Sequence, residues 1–250
     1  MKNMLKHYFT HPSVITYFAI DAAILTYLLS FNILNDLWWV LFIPIAIAPF
    51  YEWIIHKFVL HNRIGNRVSI DRIPGKEYKI DDTFMHLTTV GEKEFYIVEI
   101  QEEIIIAADK NPAPSRWNTE FMEKLHYGHH KDPDYIPYIF APIGAIIIMF
   151  AALFLLAFAV CWNIDAAAVF TFSVILYYLH YEWMHLGHHV KGYKHLFPWN
   201  RKMAKLHSLH HYKNENYWWG ITNSLGDRML GTYKDHGGIE RSKSVKDINA

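Results

Sequence analysis

Cysteine occurs once in 250 residues, at Cys161, so neither an intrachain disulfide nor a cysteine-built zinc site can form. Both are excluded. Positive charge is not in surplus either: 24 Lys and Arg balance 24 Asp and Glu, leaving no one-sided basic field of the kind that nucleic-acid binding requires. Nucleic acid is excluded as a partner. Lys and Arg are missing altogether from residues 7–56 and 132–190, and these two gaps coincide with the most apolar stretches of the chain. The gaps read as membrane.

Residues 14–34, 37–55, 136–160 and 164–184 are each long and apolar enough to cross about 30 Å of hydrocarbon as a helix. The first is too long for a signal-peptide core, and no small-residue cleavage site follows it. Asp21 is the one charged residue inside that span. Pro44 and Pro49 fall within the second, where neighbouring helices can satisfy the freed carbonyls. Connections at Asn35-Asp36 and Cys161-Trp162-Asn163 are short, so the spans pair into two helical hairpins. Between residues 62 and 118 charges return, and β-branched and aromatic runs at 84–90 and 94–106 flank Gly91-Glu92-Lys93. That pattern predicts a small β-rich soluble insertion. A turn at Ile73-Pro74-Gly75-Lys76 and a helix N-cap at Asn118 are expected, as is a flexible polar tail over 234–250. The expected fold is an all-α integral membrane domain over residues 1–250, with four transmembrane helices, this insertion and a cytosolic histidine-rich helical cap.

What is abundant is histidine, 17 in all, and ten fall into four tight groups. They are His56 and His61; His126, His129 and His130; His185 and His189; His207, His210 and His211. Two of the groups read H-x-x-H-H, whose i, i+3, i+4 spacing predicts three imidazoles on one helix face. His56 and His61, five apart, lie about 140° round an α-helix, so either the helix ends there or the two serve different metals. An even number of spans separates the groups, which puts all four on one side of the membrane. Every basic residue lies on that same side, which the positive-inside rule makes cytoplasmic. Ten imidazoles suit two metal ions at about five ligands each better than one tetrahedral zinc. His188, in a third formal H-x-x-H-H, is an additional candidate ligand, whereas His7, His11, His86, His180, His195 and His236 read as ordinary polar residues. Glu123 and Glu182 each stand three residues before a group, as in ferritin-like carboxylate sites, but that arrangement leaves at least five clustered histidines unused. Together with Glu52 they are expected instead to hydrogen-bond a ligand ring and fix its orientation.

The segments E-W-I-I-H-K-F-V-L-H, L-H-Y-G-H-H, Y-E-W-M-H-L-G-H-H and L-H-S-L-H-H resemble the fatty acid hydroxylase superfamily of membrane histidine-box oxygenases, which includes sterol desaturases and fatty acid 2-hydroxylases. The likeness covers about residues 38–232 apart from the insertion. The box order H-x-x-x-x-H, H-x-x-H-H, H-x-x-x-H, H-x-x-H-H of the 2-hydroxylase branch maps onto the ten residues and leaves His188 out. Trp219-Gly220-Ile221-Thr222-Asn223 and residues 227–232 resemble the closing segment, with Gly226 and Leu230 where aromatics are usual. The resemblance implies an O2-dependent hydroxylase with two iron ions, replaced by zinc readily on isolation, acting on the acyl chain of a fatty acid or sphingolipid drawn from the bilayer. Because the cytochrome domain fused to many eukaryotic relatives is not seen, a separate reductase or cytochrome is the expected electron donor. A multi-pass location follows, in a bacterial inner membrane by preference or the endoplasmic reticulum of a eukaryote. Within the superfamily the alternatives are a sterol or other lipid desaturase or oxidase and a carotenoid hydroxylase. From another class comes a membrane metal-binding protein without chemistry.

Overall fold

His11 and Pro12 open the first long helix, the His11 side chain accepting from the Ser13 amide while Pro12 occupies the first turn, where its missing N–H has no partner to lose. In the computed structural model, which describes residues 2–61, 67–69, 86–90, 93–100, 103–109, 123–242 and 245, this helix is α2 (Pro12–Ser30) and follows α1 (Lys2–Phe9). Next come α3 (Leu34–Leu37), a 3-10 turn at Trp38–Leu41, α4 (Phe42–Ile54) and a π-helical turn at Ile55–Leu60. A second π turn at Glu123–Tyr127 leads into α5 (Gly128–Lys131), followed by α6 (Ile143–Cys161), α7 (Ile164–His189), α8 (Pro198–Tyr212) and α9 (Leu225–Met229). Asn163 caps α7 by accepting from the Asp165 and Ala166 amides.

Four stretches are long and apolar enough to cross a membrane: Pro12–Ser30, Leu34–Leu60, Ile136–Cys161 and Ile164–His189. The chain is a multi-pass membrane protein. Ile148, Leu155 and Val160 on α6 are 71%, 62% and 73% exposed, an apolar surface that water would not tolerate and hydrocarbon covers. Two of the stretches run further than the hydropathy pattern suggested, to Leu60 and His189, so His56 and the pair His185 and His189 sit on the spanning helices themselves.

At the centre of the packing is α7. One cluster seats Ile175 and Leu179 of α7 against Tyr8, Tyr17 and Phe150, and Tyr8 donates its hydroxyl proton to the Leu179 carbonyl at 2.6 Å. Nearer its start, Val169 and Phe172 pack on Leu28, Ile33 and Val40. Asp21 is buried in α2. Beyond the spans, α8 buries Met203, Leu206, His207, His210 and His211, the spacing of a helix with one inward face.

The chain divides into two compact units, Met1–Asn62 with Glu123–Ala250, and Arg63–Met122. Within the second unit, β1 (Arg67–Ser69), β2 (His86–Val90), β3 (Lys93–Ile100) and β4 (Glu103–Asp109) form an antiparallel sheet in the order β1-β4-β3-β2. The expected turn at 73–76 and the N-cap at Asn118 lie outside the described residues.

Of the tail expected over 234–250, the structure describes residues 234–242 and 245. Ser242 donates its amide to the Lys213 carbonyl at 2.8 Å and its hydroxyl to Glu215 at 2.9 Å, and Asn214 binds the Glu240 carbonyl at 3.2 Å. Val245 is buried, and its carbonyl faces His130 Nδ1 at 3.3 Å. Ser242 and Glu240 thus meet the residues that follow α8.

Candidate metal centre

The ten histidines fall into two groups of five. His56, His61, His126, His130 and His210 form one quintet, and His129, His185, His189, His207 and His211 the other. In each, one ring nitrogen per residue lies within 4.8 Å of all the others. Neither H-x-x-H-H serves a single group: His126 and His130 go to the first quintet and His129 to the second, while His207 and His211 go to the second and His210 to the first. The expectation that each triplet shares one face is corrected here. Positions i and i+4 stay together, but i+3 points about 100° away from i+4, far enough to face a different centre.

His56 and His61 close the helix rather than serve different centres. Their turn widens, with the His61 amide bonding back to the His56 carbonyl at 3.1 Å in the i+5 pattern, so both rings come round to the same quintet. The helix ends at Leu60 with His61 as its C-cap, as one of the two expected courses required, and the pair is not divided.

Proton counting separates this arrangement from a hydrogen-bonded core. His56 Nδ1 donates to the Trp219 carbonyl at 2.6 Å and His210 Nδ1 to the Tyr217 carbonyl at 2.8 Å, so in neutral rings both Nε2 atoms are bare lone pairs. Three Nε2 contacts link His56 to His126, His126 to His61 and His61 to His210, at 3.1, 3.1 and 3.2 Å. If His126 protonates toward His56 and His61 toward His210, the middle contact sets proton against proton; any other assignment leaves two lone pairs facing. No set of tautomers satisfies all three. Ligands 2.0–2.1 Å from a shared ion stand roughly 3 Å apart, which accounts for these separations without a proton between them. In the second quintet, His185 and His129 stand 3.0 Å apart, and His207 lies 2.8 Å from His189 and 3.0 Å from His211, all between Nε2 atoms.

Burial keeps the rings uncharged. His61, His126, His129, His207, His210 and His211 are all held well below the ordinary imidazole range, first by loss of hydration and then by the neighbouring imidazoles. A neutral ring is the ligand form.

The segment after α8 carries the backbone of the site. Trp218 has φ of +58°, left-handed for a bulky residue, and this kink lies between the two carbonyls that hold His210 and His56. Asp227 accepts from the Trp219 and Gly220 amides, both at 2.9 Å, and from the Thr232 hydroxyl at 2.6 Å. Glu52 accepts from the Ile221 and Thr222 amides, both at 3.1 Å, and from the Thr222 and Tyr177 hydroxyls, both at 2.7 Å. Glu52 therefore reaches the histidines through this loop rather than by the expected bond to a ring. Glu182 receives the Tyr178 hydroxyl, and its Oε2 is buried without a partner among the described residues. The side chain of Glu123 lies outside the described residues. His188 belongs to neither quintet; its ring stands 5.1 Å from that of His195 and 5.3 Å from that of His207. Asp227 and the two carbonyls were not singled out in the sequence, since a carbonyl carries no residue-type signal.

A cavity of about 130 Å³ opens beside both quintets, lined by His56, His126 and His185 and otherwise by aliphatic and aromatic side chains with Glu52 and Glu182. Its walls suit a hydrocarbon.

Residues 114–232 match the family model described as fatty acid hydroxylase. Eight of the ten histidines lie in the matched stretch, and the fold brings in His56 and His61 from upstream. Among similar proteins is the ceramide very long chain fatty acid hydroxylase SCS7 of Saccharomyces cerevisiae, 33% identical over 115 residues, 46% of this chain and 28% of that protein. Another is the dihydroceramide fatty acyl 2-hydroxylase FAH1 of Arabidopsis thaliana, 28% identical over 119 residues, 47% of this chain and 48% of that protein. The chain thus spans about half or less of the length of these relatives. A solved structure of full-length Scs7p, with only its hydroxylase domain visible, matches with a TM-score of 0.62 and 19% identity, over 92% of this chain and 68% of that one. That likeness speaks for the fold of the hydroxylase domain alone.

Proposed function

We propose that the protein is an O2-dependent membrane hydroxylase holding two iron ions, one in each histidine quintet, and acting on the acyl chain of a fatty acid or sphingolipid. The observation that carries this reading is the pair of quintets, the first crowded beyond what any tautomers satisfy, flanking one apolar cavity. Two such ions, when bound, supply O2 binding and the electron transfer that inserts one oxygen atom into a C–H bond and releases the other as water. The chain's own work is to keep ten neutral imidazoles aimed inward and to exclude water from the carbon that reacts. Relatives named for ceramide and dihydroceramide hydroxylation favour an amide-linked acyl chain. The spans pair as two hairpins with the metals at the cytoplasmic face, electrons come from a separate reductase or cytochrome, and residues 62–118 are a soluble β-rich insertion in a single membrane hydroxylase domain.

The test is a mass-spectrometric lipid profile of a host expressing the protein beside one expressing His210→Ala, with iron, oxygen and a reductase supplied. A product heavier by one oxygen, seen only with the intact protein, is expected. A product lighter by two hydrogens would make the protein a desaturase, and full activity in His210→Ala would overturn the site.

A further inference from the structure

Given that the quintets hold metal as proposed above, we infer that Asp227 and Glu52 are positioning residues for the first quintet and not for the second. The four consecutive amides of residues 219–222 divide between these two buried carboxylates: Trp219 and Gly220 donate to Asp227, Ile221 and Thr222 to Glu52. With its amides fixed on both sides, this loop has one orientation, and the Trp219 carbonyl meets His56 Nδ1 at 2.6 Å. That bond keeps the ring proton on Nδ1 and directs the Nε2 lone pair into the quintet. One residue before the left-handed Trp218, the Tyr217 carbonyl does the same for His210. Both anchored rings belong to the first quintet. In the second, Nδ1 of His129, His207 and His211 has no hydrogen-bond partner among the described residues, and the His185 ring turns to the Ile139 backbone rather than to the loop. Gly220 fits the arrangement, since a Cβ there would lie 3.2 Å from Asp227 Oδ2 and collide with the Asn223 carbonyl.

Asp227→Asn keeps the shape but turns an NH2 group toward one of two amides that need an acceptor. Its effect is read in two backgrounds, one with His129→Ala and His211→Ala, leaving the first quintet intact, and one with His56→Ala and His210→Ala, leaving the second. Each purified protein is titrated with Zn2+ against a competing chelator. In the first background Asp227→Asn should weaken binding about 10–100-fold, the range typical for groups that orient ligands. In the second, affinity should stay within about twofold. Glu52→Gln keeps an acceptor for Ile221 and Thr222 and faces its NH2 toward hydroxyls that can accept, so a smaller loss in the first background only is expected. Should Asp227→Asn fail to insert, Glu52→Ala reads the same clamp, with the same selective loss expected. Equal weakening in both backgrounds would reduce the clamp to general structural support, and unchanged first-quintet affinity would overturn it. If neither background binds Zn2+ before Asp227 is changed, the metal reading itself falls.

Discussion

A bulky residue held at positive φ costs about 1–3 kcal/mol, and Trp218 sustains φ of +58° because it is fully buried and its Nε1 donates to the Lys234 carbonyl at 3.1 Å. The strain sits between two carbonyls that orient ligand rings, so it is stored where it sets geometry. A second local constraint is Gly226, where the resembled family usually has an aromatic. A Cβ at this position would meet the Pro49 carbonyl oxygen at 2.5 Å and Trp53 Cβ at 3.1 Å. Backbone cannot rotate out of the way. Gly226→Ala should therefore destabilise the protein by about 1–3 kcal/mol, the usual cost of overpacking, seen as a lower thermal midpoint in detergent. An unchanged midpoint would mean that α9 and α4 are not in this contact. His129→Ala and His210→Ala each remove one ligand, from different quintets. Both should lower turnover at least about 100-fold while the protein still inserts, because the charge and hydropathy of the spans are untouched. Retention of wild-type activity by both would show that the reaction lies elsewhere.

Helical elements decide which ring joins which quintet. The π turn at Ile55–Leu60 is an α turn with one residue added, and it gives His56 and His61 the facing that His185 and His189 obtain from ordinary i, i+4 spacing. Deleting Lys57 would leave His56 and His61 four apart, and first-quintet affinity should stay within about tenfold of the parent in a metal titration. Inserting one alanine there would set them six apart, about 240° round an α-helix, and that quintet should lose its metal. The same response to both changes would rule out the π turn as the cause of the facing. This element also marks the limit of what the residues made legible. All ten histidines were identifiable because an imidazole ligand is a side chain with fixed spacing along a helix. Their division was not, since His129 and His130 differ by only one step and the choice of centre depends on where α7 and α8 stand. The spans were read to within a few residues from hydropathy, yet two ended early on paper, because histidines at a helix end lower the average without ending the helix. The loop's hold on His56 and His210 was invisible for a different reason: its acceptors are peptide carbonyls, whatever the side chains.

For the molecule as a whole, burying so many imidazoles makes folding depend on pH. The folded-state values of His61, His126, His129, His207, His210 and His211 lie well below the ordinary one, by burial first and neighbouring rings second. In the unfolded chain each ring takes up a proton near pH 6.5, whereas the folded chain refuses it until much lower pH. The sign follows: stability is fully present above about pH 6.5 and falls as pH drops below it, by up to about 1.4 kcal/mol per pH unit for each such ring. Metal-stripped protein in detergent should show a thermal midpoint that is flat from about pH 8 to 7 and declines steeply toward pH 5. Bound metal competes with those protons and contributes its own binding energy to the folded state, so the loaded protein should begin its decline at lower pH. A metal-stripped midpoint unchanged down to pH 5 would mean that the rings are solvated and protonate freely, and two closed quintets would then be the wrong description of this face of the protein.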